Sequence, residues 1–88
     1  MIPSPEKSAN QNFRRMMRVY RYFRDNEGWL WRDRVMHWSG FPSPSEQPVI
    51  AYAEFANTLI RLNKALAKSG RRIVGGIETR EQYRLEVI

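Results

Sequence analysis

Eighty-eight residues suffice for one small domain and leave little room for a deep cleft, since a chain this short buries only about 60% of its unfolded surface. Fifteen Lys+Arg against nine Asp+Glu leave a formal charge of +6, and twelve of the fifteen are Arg, the residue suited to bidentate phosphate and base-edge contacts. No cysteine and one histidine exclude disulfide frameworks, thiolate zinc sites, cysteine nucleophiles and multi-histidine metal sites, and the longest apolar run, residues 49–53, is far below the ~20 residues of a membrane span.

Residues 1–11, with Pro3, Pro5 and no apolar periodicity, are expected to form a flexible tail lacking a signal-peptide core, and residues 12–88 a single domain. Asn12 is placed to cap helix 1, in which Phe13, Met16, Met17, Tyr20 and Phe23 share one face and Arg14, Arg15, Arg18 and Arg21 the other. Asn26 and Gly28 both tolerate left-handed backbone and are expected to end it. Trp29-Leu30-Trp31 then has the composition of a short strand. Residues 32–38 form a short second helix, with Asp33 in its first turn and Val35, Met36 and Trp38 toward the core.

Residues 39–45 are a loop by their prolines, and Ser45 through Pro48 is a helix-start signal with a capping serine. A long amphipathic helix follows over residues 48–69, closed by Gly70. Tyr52, Phe55, Ala56, Leu59, Leu62, Asn63 and Leu66 line its inner face, and Glu54, Asn57, Thr58, Arg61, Lys64 and Lys68 lie opposite. From Ile73 to Val87 the apolar period becomes two, the pattern of a β-hairpin over residues 71–88. Its turn is expected at residues 79–82, with Gly75-Gly76 the alternative.

The expected fold class is therefore α+β: three helices, a short strand after the first, and a C-terminal hairpin. This order resembles a winged helix-turn-helix domain. Residues 22–38 (YFRDNEGWLWRDRVMHW) and 59–87 (LIRLNKALAKSGRRIVGGIETREQYRLEV) are similar to bacterial response-regulator output domains, down to an Ile77-Glu78-Thr79 strand and a Tyr83-Arg84-Leu85 strand. The chain differs in having no N-terminal sheet and no glycine-rich wing turn. Its C-terminal half also resembles the winged modules that end phage and plasmid primases.

The resemblance implies a recognition helix in the major groove of DNA. On helix 3 the base-reading candidates are Asn57, Thr58 and Arg61, since Asn pairs with adenine and Arg with guanine. Lys64 and Lys68, with Arg71, Arg72, Arg80 and Arg84 around the hairpin, are backbone candidates. The plain reading of the same residues is a solvated helix face and a charge-protected strand edge. Arg14, Arg15, Arg18 and Arg21 form a second basic patch in surplus of that scheme.

Trp29, Trp31, Trp38, Tyr20 and Tyr22 are expected to pack in the core, with strand alternation sending one of Trp29 and Trp31 outward. No residues form a catalytic, metal or cofactor constellation, so an enzyme is not expected. The expected function is a small prokaryotic or phage transcriptional regulator, cytoplasmic and bound to double-stranded DNA, with a homodimer extending its footprint. The alternatives are a protein-interaction module using helix 1 or the 39–47 loop, and a replication or single-strand accessory factor using exposed aromatics.

Overall fold

The computed structural model describes residues 5–75 and 81–87, with residues 5–10 described by backbone alone. In chain order the elements are α1 (Pro5–Asp25), β1 (Leu30–Trp31), α2 (Arg32–Trp38), α3 (Pro48–Ala67), β2 (Arg71–Gly75) and β3 (Gln82–Val87). The strands form one antiparallel sheet in the order β1-β3-β2, so the hairpin's second strand lies at its centre. The chain is α+β, and this arrangement is compatible with a winged-helix-like layout. Among the described residues no helix is long and apolar enough to cross a membrane.

Helix α1 begins at Pro5, well before the Asn12 cap expected from the sequence. Proline fits a first helical position because its fixed φ is already helical and its missing N–H is not needed there. Of the expected tail, residues 5–11 are thus helical, while residues 1–4 lie outside the description. The buried stripe of α1 is also rotated from expectation. Val19 and Phe23 are buried with Met16 and Tyr20 packed beside them, and Phe13 is 58% exposed. At the helix end Gly28 takes the left-handed conformation (φ 85), whereas Asn26 contributes its side chain, Nδ2 donating to the Tyr22 carbonyl at 2.9 Å.

Pro48 fixes the start of α3, which puts Gln47 rather than Ser45 at the capping position, and no side chain caps it. The inner face of α3 consists of Ala51, Phe55, Leu59, Leu62 and Leu66, with Ala56 exposed. Phe55 stands at the centre of the core. Its ring meets Phe41 of the α2–α3 loop and Tyr83 of β3 edge-on, with centroids 5.5 and 5.6 Å away. Gly70 (φ 71) turns the chain out of α3 into β2, as its sequence position suggested.

Asn63, the one polar residue expected on the inner face, acts as a clamp. Its Nδ2 donates to the Ile73 carbonyl at 3.1 Å and its Oδ1 accepts from the Ile73 N–H at 2.7 Å. Because β2 is an edge strand, Asn63 occupies the outward backbone pair that a further strand would otherwise take.

The hairpin register pairs Val74 with Arg84 and Gly75 with Tyr83. A two-residue turn at Gly75-Gly76 is excluded, because Gly75 belongs to the ladder. Gln82, expected in the turn, opens β3 and pairs with Trp31. Residues 76–80, with Ile77 and the first half of the expected turn, lie outside the description.

Candidate nucleic-acid interface

The polar side of α3 turns away from the core. Asn57, Arg61, Lys64 and Lys68 are exposed there, and no acid partners any of the three cations among the described residues. At 1.5 Å per residue they span roughly 16 Å of helix. Exposed Ile50 and Ile60 share the surface, apolar groups of the kind that meet a thymine methyl. Arg61 stands at its margin, lining a groove with Asn12, Phe13 and Met16 of α1. Thr58 is not part of the surface: it is half-buried, and its hydroxyl donates to the Glu54 carbonyl of its own helix at 2.8 Å.

The hairpin arginines are largely committed within the fold. Arg71 Nη1 donates to the Tyr20 hydroxyl at 3.1 Å. Arg84 Nη2 donates to Glu86 Oε1 at 2.7 Å and Arg72 Nε to Glu86 Oε2 at 3.4 Å. The Arg84 guanidinium also lies over the Trp29 ring, 4.7 Å from its centroid. Arg80 falls outside the described residues.

The Arg84 hydrogen bond is the main cause holding the Glu86 carboxyl below its ordinary pKa, desolvation acting the other way. A carboxylate lowered by folding stabilises the hairpin above its unfolded pKa, and that contribution is lost as pH falls through the folded value. Side-chain carboxyl NMR is expected to find Glu86 titrating below the ordinary glutamate range and, in Arg84→Gln, moving back toward it. A titration unchanged by Arg84→Gln would show that the pairing does not exist in solution.

The second basic patch divides. Arg15 Nη1 donates to Glu54 Oε2 at 2.9 Å, tying α1 to α3, and its guanidinium lies over Phe41. Arg14, Arg18 and Arg21 are exposed and have no ion-pair partner among the described residues.

The tryptophans contradict the expected core. Trp29, Trp31 and Trp38 are 43%, 50% and 66% exposed, while Tyr20 and Tyr22 do pack against the buried cluster. Side chains two apart on a strand share a face, so Leu30 turns inward and both flanking indoles turn outward. Alternation does not separate them. Trp38 ends α2, with exposed Arg34 one helical turn before it on the same side.

His37 is exposed, edge-on to Trp38 at 5.7 Å. Phe41, in the 39–47 loop, is buried. No family model, curated protein or solved structure matches this chain.

Proposed function

We propose that this chain is a winged helix-turn-helix DNA-binding protein, a small cytoplasmic transcriptional regulator that docks α3 in the major groove of duplex DNA. The observation that carries this reading is the row of Asn57, Arg61, Lys64 and Lys68 on the outer side of α3, its cations free of acids among the described residues. The element order and the β1-β3-β2 sheet support it. Asn57 reads adenine, Arg61 contacts a base or phosphate from the helix margin, and Lys64 and Lys68 neutralise phosphates. Arg72 and Arg84 reach the backbone only by leaving Glu86. One such module covers a short site, and a homodimer would double it.

Duplex binding followed across a salt series tests the reading. Log affinity is expected to fall with log salt at about −0.9 per phosphate contact, and Arg61→Ala to lose roughly 1–3 kcal/mol on a preferred site. Absence of duplex binding at low salt, or an Asn57/Arg61/Lys64 triple alanine variant that binds like wild type, overturns it.

The exposed tryptophans favour a second reading, a single-strand accessory factor that stacks bases on indole faces. In the same titrations, a single strand that outcompetes duplex and quenches tryptophan fluorescence would replace the first reading with this one.

A further inference from the structure

Arg14, Arg15 and Arg18 of α1 line one cavity of about 300 Å³ together with Gln11 and Gly40. Among the described residues no carboxylate lines it, and Glu54, the one acid there that pairs with any of the three, is engaged by Arg15 outside the lining. Arg14 and Arg18 are four apart on the helix, a spacing at which like charges repel. The opposite wall is built to admit a guanidinium: Gly40 has φ +80, and a Cβ there would lie 3.2 Å from Arg18 Nη1. Three cations are thus held around one space with one acid between them, an arrangement that a multiply charged anion stabilises.

We propose that this cavity is a phosphate-binding site, separate from the outer side of α3. Arg14 and Arg18 supply charge-assisted N–H donors, Arg15 adds its remaining donors while holding Glu54, and the Gln11 amide completes the rim. The volume of about 300 Å³ is ample for a phosphate group, and the ring of guanidinium donors is what selects it. The phosphate comes either from a nucleic-acid backbone or from a free phosphate or phosphomonoester. In the first case α1 adds a second contact to a polyanion held by α3. In the second the site senses a small anion.

The test follows the arginine Nε–H signals of the full chain by NMR, with inorganic phosphate at constant ionic strength and separately with a short duplex. Saturable movement of the Arg14, Arg15 and Arg18 signals by inorganic phosphate identifies a free-phosphate site. Movement by duplex alone, with duplex affinity reduced in Arg14→Gln/Arg18→Gln but not in Arg21→Gln, identifies a backbone-phosphate site. Arg21 does not line the cavity and controls for charge. The double variant is expected to weaken the relevant ligand at least about ten-fold, while circular dichroism shows its helices intact. Signals unmoved by both probes, or a double variant indistinguishable from Arg21→Gln, overturn the proposal. Because α3 is untouched by these substitutions, their failure leaves the duplex reading standing, and the converse holds.

Discussion

Phe55→Ala is expected to remove about 3–5 kcal/mol of stability, the usual cost of emptying a buried aromatic position. Small domains have only about 5–15 kcal/mol in total, so the variant should sit near its unfolding midpoint in mild denaturant. The size of the effect follows from what the ring touches. Phe55 projects from α3 into the space between the α2–α3 loop and the sheet, edge-on to Phe41 on one side and Tyr83 on the other. Each edge-to-face pair contributes roughly 0.5–1.5 kcal/mol beyond burial, and both are lost together. Phe41 in turn lies beneath the Arg15 guanidinium, so the cavity loosens a contact that also braces α1. Urea denaturation read by circular dichroism measures the loss. Phe55→Leu keeps most of the volume and should lose much less. A Phe55→Ala midpoint within experimental error of wild type would mean that the ring is not the centre of the core.

Which parts of this architecture the sequence discloses depends on which have a local cause. Gly28 and Gly70 end helices in the left-handed conformation that only a residue without Cβ adopts freely, so both boundaries are written at single positions. The inner side of α3 is legible because Phe55, Leu59, Leu62 and Leu66 recur at helical spacing over three turns. The inner side of α1 is harder. Phe13 and Met17 extend the apolar stripe on a helical wheel, but neither belongs to the core cluster, and the choice falls to Val19. That choice is made by where α3 and α2 stand, which α1 does not encode.

The tryptophans fail for a related reason. A thin core argues for burying every large ring, but Phe23, Met36, Phe41 and Phe55 already fill the interior. Of the Trp29-Leu30-Trp31 run only Leu30 can face inward. The candidate interface shows the same division. Free charge on Asn57–Lys68 of α3 follows from periodicity, whereas the engagement of Arg72 and Arg84 by Glu86 depends on hairpin register. The Arg14–Arg15–Arg18 cavity depends on Gly40, more than twenty residues away in the chain.

Asn63→Ala is expected to cost roughly 2–6 kcal/mol, since it strands two partly enclosed backbone groups at about 1–3 kcal/mol each. The Asn63 amide is matched to Ile73 as one strand is to another, donating to its carbonyl and accepting from its N–H. Asn63→Asp separates the two bonds. The introduced carboxylate still accepts from the N–H but faces the Ile73 carbonyl without a proton to donate. Its pKa is therefore raised in the folded state, and the destabilisation should diminish as pH falls and the acid becomes a donor. Hydrogen exchange locates the effect: the Ile73 amide should lose protection in Asn63→Ala by more than the amides of the α3 interior, and lose less in Asn63→Asp, which keeps its acceptor. Equal loss throughout would show that Asn63 acts through general packing rather than as a clamp. Two further consequences follow from its place between α3 and the edge of the sheet. An uncovered β2 edge offers unpaired backbone to a second chain, so Asn63→Ala should form larger assemblies with concentration than wild type does. And because the clamp sets the hairpin against the helix carrying Asn57, Arg61 and Lys64, the proposed duplex binding should weaken with its loss although none of these three side chains is removed.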